Sequence, residues 1–410
     1  MLPPQEQLRI LREGVHEIIP LDELERKLQR SYESGKPLVV KEGFDPTAPE
    51  LHIGHTITIR KLRDFQRLGH EVVFLIGDFT GLIGDPSGRS EIRKRLSREE
   101  ILANAETYRT QVFKILDPVR TRVEFNSAWC ESMRFGEVLD LASRYTVARL
   151  LERDDFRKRW EAQKPISLLE FMYPLVQAYD SVALRADVEL GGTDQKFNLL
   201  VARDVQREYG LEPQVVMTMP ILPGTDGVEK MSKSLGNHIG ISEPPESIFG
   251  KTMSIPDAVL EAYLLLASDL DAGAVRERLD GIRAGKLNPS HVKRELGRDL
   301  VRQYHGEAAT AVAEAAFDRI FVRHEPPEDI DEVLVEGESE RLTRIMVRAG
   351  LVASHGEARR LIRQGAVQLD GVRIGDENAS VDAAGLGPGV LKVGKRRFAR
   401  IHFASRPTRE

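Results

Sequence analysis

Short apolar runs alternate with amphipathic stretches along the first half of the 410-residue chain. Residues 38–40, 72–76 and 215–221 are typical of buried strands, since most positions in them are apolar. Residues 57–68 repeat apolar side chains at near-helical spacing before Gly69, which predicts a helix. A strand, a helix and a strand in this order predict a right-handed crossover and therefore a parallel sheet.

The rest of the pattern is mostly helical and then changes character. Helical periodicity predicts helices over 1–36, 99–116 and 137–160, and a polar helical region over about 242–325. Residues 325–340 hold eight acids and no Lys or Arg, a composition typical of a linker. We therefore predict an α/β fold with a parallel-sheet domain over 1–235, an α-helical domain over 236–325, an acidic linker over 326–340 and a small α+β domain over 341–410.

The last domain carries clear local signals. Ser354 and Glu357 form a capping box that predicts the start of a helix, and Asp370-Gly371 predicts the turn of a hairpin. Arginines on that helix and a basic segment after the hairpin favour an RNA-binding surface over a merely solvated one. The residues predicted to bind RNA are Arg359, Arg360, Arg363, Lys395, Arg396 and Arg397.

Composition and charge narrow the class of protein. No apolar run approaches the ~20 residues of a membrane span, and the first residues lack the features of a signal peptide. A single cysteine excludes an internal disulfide framework, so we expect a cytoplasmic protein without a membrane partner. The net charge of the chain is −5. Residues 341–410 contain 14 Lys/Arg and 6 Asp/Glu and therefore carry a charge of +8, which leaves −13 for the remainder. A basic tail on an acidic body predicts a polyanionic partner for the tail.

Two histidines follow the first predicted strand. His52 and His55 are three residues apart at the start of the predicted helix, where unpaired N–H groups already favour a polyphosphate. Gly54 between them leaves room for a flat ring against the backbone. A zinc pair is disfavoured, because no third ligand is near in the sequence and Cys130 is the only cysteine. Two surface histidines remain the alternative at this point.

Two lysines lie in a second motif, Lys-Met-Ser-Lys-Ser, with turn residues on both sides. The ammonium groups of Lys230 and Lys233 suit a triphosphate whose charge moves during reaction, although a solvated basic loop is the alternative. The two motifs together are far more specific than either alone. His-Ile-Gly-His early in the chain and Lys-Met-Ser-Lys-Ser 175 positions after His55 resemble the signature of class I aminoacyl-tRNA synthetases.

Further polar residues cluster at the ends of predicted strands or along one helix face. Asp85 follows the second strand in a glycine-rich loop, and Asp194 follows Gly191 and Gly192, where an acid commonly holds ribose hydroxyls. Arg89 and Arg93 suit phosphate clamping or a solvated face. Tyr173, Gln177 and Asp180 share one face of a predicted helix, where they form either a polar small-molecule pocket or core residues satisfied by the backbone.

From end to end the chain resembles the bacterial tyrosyl-tRNA synthetases, and in particular their second subtype. The resemblance implies a Rossmann-like catalytic domain with a connective insertion at about 125–185, an anticodon-binding helical domain and a small RNA-binding domain. It implies that L-tyrosine reacts with ATP to give tyrosyl-adenylate, and that the tyrosyl group then passes to the 3′ end of tRNA(Tyr). It further implies a homodimer. By analogy with other phosphoryl-group chemistry we expect Mg²⁺ to accompany ATP, and no protein ligand for it is evident in the sequence.

The resemblance also implies roles for individual residues. His52, His55 and Thr47 hold phosphates, while Lys230 and Lys233 hold the departing pyrophosphate, with Arg89 and Arg93 beside them. ATP is bound by Gly54, Gly191, Gly192, Asp194 and Lys233. Tyrosine is bound by Asp85, Tyr173, Gln177, Asp180 and Gln195, with Asp180 accepting the phenol proton. Phenylalanine is rejected because it would leave Asp180 unpaired.

Two departures from the family pattern and three alternative functions remain, and the first departure is that many members have a Phe-Gly-Lys-Thr form of the lysine loop. Many bacterial members carry Tyr-Cys before Gly-Phe-Asp, whereas this chain has Lys41-Glu42, so the phenol contact of that tyrosine is missing. A tryptophanyl enzyme is the nearest alternative. A catalytically vestigial RNA-binding protein is disfavoured because both motifs and the polar stripe are intact. A small-molecule adenylyltransferase would lack the lysine motif and the basic tail.

Overall fold

The fold is described from a computed structural model over residues 1–87, 96–323, 325, 330–335, 339–382, 389–394 and 397–403. The helices are α1 (Pro4–Arg12), α2 (Leu21–Ser34), α3 (Ile53–Leu68), α4 (Thr80–Ile83), α5 (Arg98–Val112), α6 (Ser127–Cys130), α7 (Phe135–Ser143), α8 (Val147–Leu150), α9 (Asp154–Glu161), α10 (Leu168–Leu184), α11 (Lys196–Glu208), α12 (Pro245–Ser254), α13 (Leu260–Ala267), α14 (Ala272–Arg283), α15 (Pro289–His305), α16 (Glu307–Phe321), α17 (Leu342–Arg348) and α18 (His355–Arg363). The strands are β1 (Glu17–Ile19), β2 (Val39–Phe44), β3 (Glu71–Ile76), β4 (Thr121–Phe125), β5 (Val188–Gly192), β6 (Val215–Met219), β7 (Asp331–Val335), β8 (Ser339–Arg341), β9 (Val367–Leu369), β10 (Val372–Arg373), β11 (Ser380–Asp382), β12 (Gly389–Val393) and β13 (Arg397–Phe403).

The residues form two compact units, Met1–Thr310 and Ala311–Glu410. The first contains a sheet with the strand order β1-β6-β5-β2-β3-β4. Neighbouring strands are parallel except for β1, which runs antiparallel to β6. The predicted crossover β2–α3–β3 is confirmed, and the fold is the expected Rossmann-like α/β arrangement.

The strand order reverses direction between β2 and β5. From β2 the chain proceeds outward through β3 and β4, whereas β5 lies on the other side of β2 and leads to β6. In sheets of this kind the crevice for a ligand opens at the carboxyl ends of the two strands where the order reverses. The strands there are buried on both faces, and Val40, Val72, Phe74 and Val188 are inaccessible to solvent.

Three predicted elements differ from those observed. The predicted helix over 1–36 is two helices separated by β1, whose three residues pair with β6. The predicted helix over 137–160 is interrupted, because Thr146 caps a new helix by accepting from the N–H of Arg149. The predicted linker over 326–340 contains β7, which pairs in parallel with β13 and buries Val333 and Val335. The run of three apolar residues, Val333-Leu334-Val335, in that acidic stretch was the missed signal.

The second unit contains the sheet β10-β9-β12-β13-β7 and the short pair β11-β8. The predicted hairpin is confirmed, with Asp370 and Gly371 at φ of 48° and 82° in its turn. The predicted helix start is also confirmed, since Ser354 Oγ accepts from the N–H of Glu357. None of the helices in the described ranges combines the length and the apolar character needed to cross a bilayer.

Candidate active site

A crevice of about 410 Å³ opens at the carboxyl ends of β2 and β5, within the size range of small-molecule sites. It is lined by residues from both predicted motifs and from the polar helix face. The predicted site residues that line it are Thr47, His52, Gly54, His55, Asp85, Tyr173, Gln177, Asp180, Gly191, Gly192, Asp194, Gln195, Lys230 and Lys233. The structure therefore brings together side chains that are up to 186 positions apart in the sequence.

The histidine pair forms one wall. The rings of His52 and His55 are stacked with centroids 3.6 Å apart, and the N–H of His52 donates to Nδ1 of His55 over 3.3 Å. Because Nδ1 of His55 accepts, its proton is on Nε2. Burial, with the nearby charge of Lys233, lowers the pKa of His55 to about 4, and burial beside His55 lowers the pKa of His52 well below its usual value. Both rings are therefore neutral donors at pH 7.

Gly54 leaves room for the ring of His52, since a Cβ here would approach that ring closely, whereas its contact with Met231 of the lysine loop would be an ordinary one. A Cβ at this position would lie 3.0 Å from Nδ1 of His52 and 3.5 Å from Cβ of Met231. The N–H of Ile53 donates to the carbonyl of Ile239 just beyond the lysine loop, over 3.0 Å. The start of α3 is thereby fixed against the segment that carries the two lysines.

The lysines form the opposite wall, and each pairs with a carboxylate. Lys230 Nζ lies 3.2 Å from Asp194, and Lys233 Nζ lies 3.0 Å from Glu50. Turn residues hold the base of the loop, since Asn237 donates both to Asp226 and to the carbonyl of Lys230. Four flexible or exposed charges thus face the region beside the histidines.

A second group of polar residues lies at the end of β2. Asp45 accepts from the hydroxyls of Tyr173, over 2.9 Å, and of Thr80, over 2.7 Å. Any Cβ at Gly77 would lie 2.3 Å from both Asp45 Oδ1 and Thr80 Oγ1, so only glycine allows this contact. Across from it, Gln195 Nε2 donates to Asp85 over 2.8 Å. These acceptors are suited to an ammonium group of a small ligand.

Asp180 forms the buried end of the crevice. Its oxygens accept from Trp129 Nε1 over 2.8 Å and from Asn126 Nδ2 over 3.3 Å. Burial raises the pKa of Asp180 to about 7, although the charge of Lys41 and the two hydrogen bonds oppose the rise. The position combines a hydrogen-bonding carboxyl with nearly complete burial, as expected where a small ligand is recognised through one polar atom.

An ion pair that was not predicted lies beside Asp180. Lys41 Nζ is 2.7 Å from Glu189, and both side chains are almost completely buried. Gln177 Nε2 lies 3.5 Å from the same carboxylate, while Gln177 Oε1 is buried without a hydrogen-bond partner in the described part of the chain. That oxygen is thus available to accept from a ligand.

The remaining predicted site residues form two groups. Arg89, Arg93, Lys395 and Arg396 fall outside the described residues. Arg359, Arg360 and Arg363 are exposed on α18, as a binding surface requires, and Arg397 lies 3.1 Å from Glu357. These positions of the second unit remain predictions as RNA contacts.

Two arginines in the region of α8 and α9 are buried inside the protein. Arg153 is buried and donates to Ser87 and Asn198, and Arg159 is buried in a bidentate contact with Glu170. The guanidinium group of Arg153 thus supports Ser87, which lines the crevice, and neither buried group can meet an external phosphate.

Sequence reasoning missed Asp45, Thr80, Asn126 and Trp129. The last two follow β4, a strand whose alternating residues over 121–125 were not recognised. Had β4 been placed in the sheet, its carboxyl end would have pointed to Asn126.

Comparison with protein families gives two adjacent matches. Residues 33–322 match the family described as "tRNA synthetases class I (W and Y)". Residues 324–401 match the "Tyrosine--tRNA ligase SYY-like C-terminal domain".

Curated relatives match over nearly the whole chain. The tyrosine–tRNA ligase of Syntrophotalea carbinolica is 57% identical over 402 residues, covering 97% of this chain and 98% of the relative. That of Moorella thermoacetica is 55% identical, covering 97% and 95%. Among solved structures, the tyrosyl-tRNA synthetase of Archaeoglobus fulgidus in complex with L-tyrosine has a TM-score of 0.62 at 24% identity, covering 75% of this chain and 99% of that one. The truncated mitochondrial enzyme of Aspergillus nidulans has a TM-score of 0.63 at 22% identity, covering 78% and 99%, and both likenesses concern the fold.

Proposed function

Since the chain belongs to the class I tRNA synthetases, in the branch of the tyrosine–tRNA ligases, we propose that its crevice activates L-tyrosine with ATP and transfers the tyrosyl group to tRNA(Tyr). The observation that carries this proposal is the convergence of three groups in one crevice. These are the stacked imidazoles, the two loop lysines and the buried carboxyl of Asp180.

The chemistry of the first step needs alignment and charge stabilisation, and no protein nucleophile. A carboxylate oxygen of tyrosine attacks the α-phosphorus of ATP, the bond to the bridging oxygen of the β-phosphate breaks, and pyrophosphate leaves. In the second step a hydroxyl of the terminal ribose of tRNA attacks the carbonyl carbon of tyrosyl-adenylate, and AMP leaves. Each bond that forms is matched by one that breaks.

The imidazole and lysine walls are assigned to the phosphates. His52 and His55 donate hydrogen bonds as neutral imidazole rings. Neutral rings allow both the carboxylate of tyrosine and the phosphates of ATP to approach. Lys230 and Lys233 exchange their carboxylate partners for the phosphates, and this exchange frees Asp194 to accept from ribose hydroxyls. Thr47, Gly54, Gly191 and Gly192 line the same region. Mg²⁺ is proposed to enter on the phosphates of ATP, where it offsets their charge.

The opposite end is assigned to the amino acid. Tyr173, Gln177 and Asp85 surround the ammonium group, with the unpaired Oε1 of Gln177 as one acceptor. Gln195 donates to the carboxylate of tyrosine. Asp180, held by Asn126 and Trp129, accepts the phenol proton.

We further propose a homodimer that acts in the cytoplasm. Large apolar side chains are exposed over residues 135–168, a concentration that supports burial against a second copy. They are Phe135, Leu139, Val147, Trp160 and Leu168. The exposed arginines of α18 support binding of tRNA by the second unit.

Amino-acid-dependent exchange of pyrophosphate into ATP, followed by charging of a tRNA(Tyr) transcript, tests the proposal. We expect tyrosine to drive both reactions. Exchange with tryptophan alone would identify a tryptophanyl enzyme, and the absence of exchange with any amino acid would support a vestigial RNA-binding protein.

A further inference from the structure

We propose that Lys41 is a specificity-determining residue, whose ammonium group, held by Glu189, donates a hydrogen bond to the phenol oxygen of tyrosine while Asp180 accepts the phenol proton. The inference rests on the proposed function, because it concerns the amino-acid end of that crevice. It assigns to Lys41 the contact that the sequence pattern left missing.

The position of the ion pair supports a role at the crevice. Lys41 on β2 and Glu189 on β5 are register partners on the two strands between which the strand order reverses. Both side chains line the crevice, although they are 0% and 1% exposed. A buried ion pair contributes little to stability compared with apolar residues of the same size, because desolvation of the charges offsets their attraction. Packing alone therefore gives no reason for charges at these two positions.

Glu189 is a fixed anchor for the lysine. Besides Lys41, its carboxylate accepts from Ser181 Oγ over 3.1 Å and from Gln214 Nε2. With these donors it is saturated and cannot serve a ligand. By contrast, Glu189 is the hydrogen-bond partner of Lys41 Nζ in the described part of the chain. An ammonium group carries three N–H donors, so two remain for a ligand.

The ammonium group also acts on Asp180. Its charge opposes the effect of burial on the pKa of that carboxyl, which shows that the two groups are close enough to interact. The end of the crevice thus presents one cationic donor and one carboxyl acceptor. A phenol hydroxyl, which donates one hydrogen bond and accepts others, satisfies both groups.

The two groups together reject more than one competitor. Phenylalanine offers neither a donor nor an acceptor, so it removes water from Lys41 and Asp180 at the buried end of the crevice without returning a hydrogen bond to either group. The N–H of an indole could donate to Asp180 but cannot accept from Lys41. Asp180 alone would discriminate poorly between a phenol and an indole, since both donate a hydrogen bond. Lys41 adds this discrimination, because it needs an acceptor on the substrate.

The first test replaces the pair together, since Lys41→Met alone would leave Glu189 buried without its cation. In Lys41→Met/Glu189→Gln we expect a melting temperature close to that of the wild type. We expect kcat/KM for tyrosine in pyrophosphate exchange to fall roughly 10- to 100-fold, because a hydrogen bond from a charged group is lost. The kcat/KM for phenylalanine should stay within about 3-fold of the wild-type value. The matched control is Lys27→Met/Asp187→Asn, which alters a second lysine–carboxylate pair, 3.0 Å apart and outside the crevice lining, in which Lys27 is buried and Asp187 is 25% exposed. It should leave the tyrosine-to-phenylalanine ratio unchanged.

A second test needs no substitution. 4-Aminophenylalanine donates to Asp180 but is a poor acceptor for Lys41, so wild-type kcat/KM for it should be at least roughly 10-fold below that for tyrosine. An unchanged tyrosine-to-phenylalanine ratio in the double variant, or equal use of 4-aminophenylalanine and tyrosine by the wild type, would overturn the role of Lys41. Failure of the wild type to use tyrosine would instead overturn the proposed function, and the two failures are therefore distinguishable.

Discussion

The ammonium group of Lys230 lies 3.2 Å from the carboxylate of Asp194, so the lysine loop contacts the turn after β5 across the crevice. Lys233 and Glu50 form a second contact of this kind, over 3.0 Å. In the proposed reaction the lysines of these pairs bind phosphates, and Asp194 binds the ribose. Binding of ATP must therefore replace two existing ion pairs, and their strength becomes part of the apparent affinity for ATP.

Glu50→Gln should lower KM for ATP. The substitution removes the partner of Lys233 and with it a competing ion pair that is partly exposed, worth about 0.2–1 kcal/mol, so we expect a decrease of roughly 1.5- to 5-fold. Pyrophosphate exchange at varied ATP measures it. Glu13→Gln, which alters an exposed pair on α1, is the control and should leave KM unchanged. An unchanged or higher KM in Glu50→Gln would show that the ion pair of Lys233 with Glu50 does not compete with the binding of ATP.

His52→Ala should slow formation of tyrosyl-adenylate far more than it weakens binding of tyrosine. The ring is assigned to phosphate charge that develops in the transition state, and removal of one such donor typically lowers kcat by roughly 100-fold. Single-turnover formation of adenylate and equilibrium binding of tyrosine separate the two effects. Equal losses in both would indicate that His52 only supports the structure.

Use of tyrosine should depend on pH near 7. Burial raises the pKa of Asp180 to about 7, so the ionised acceptor is lost as the pH falls through 7 and kcat/KM for tyrosine falls with it. The other charged groups around Asp180 are Lys41 on β2 and Glu189 on β5, which form the buried ion pair. Burial raises the pKa of Tyr173 on α10 and of Cys130 on α6 above their usual values, which are already above 7.

The decrease of kcat/KM at low pH is the acid limb of the pH profile. The histidines do not account for this limb, because the pKa of His55 is lowered to about 4 and that of His52 also lies well below its usual value. The profile for phenylalanine should lack the limb, since that substrate makes no hydrogen bond to Asp180. A limb of the same midpoint for both substrates, or its persistence in Asp180→Asn, would assign the titration to another group.

Charged substitutions on α7 should dissociate the proposed homodimer. Phe135 and Leu139 are one helical turn apart and are 77% and 54% exposed, so Phe135→Asp/Leu139→Asp would bury two charges in an interface formed there. Sedimentation velocity should show the wild type as a dimer and this variant as a monomer. Val119→Asp changes a residue that is 92% exposed outside residues 135–168 and should remain dimeric. A monomeric wild type, or a dimeric double variant, would contradict the proposed interface.

Local elements of the fold were predictable because neighbouring residues determine them. The crossover β2–α3–β3 and the hairpin at Asp370 are confirmed for this reason, since apolar runs and turn residues specify them within short segments. The stripe of Tyr173, Gln177 and Asp180 was predictable from helical spacing alone. In contrast, β1 has only three residues, and its existence depends on pairing with a strand about two hundred positions later.

The remaining parts of the site depend on which strands are neighbours. Lys41 and Glu189 are 148 positions apart, and nothing local to either residue indicates that they pair. Their contact follows from the register of β2 against β5, which only the folded sheet defines. The same is true of Trp129 on α6 and Asp180 on α10, which are 51 positions apart and meet only in the folded chain.

The most direct test of the central claim is the ratio of kcat/KM for tyrosine to that for phenylalanine in pyrophosphate exchange, measured for the wild type and for Asp180→Ala. If this crevice recognises the phenol through Asp180, the wild type prefers tyrosine strongly and the variant loses at least roughly 10-fold of that preference, with phenylalanine little affected. A variant that retains the full preference for tyrosine would contradict the account.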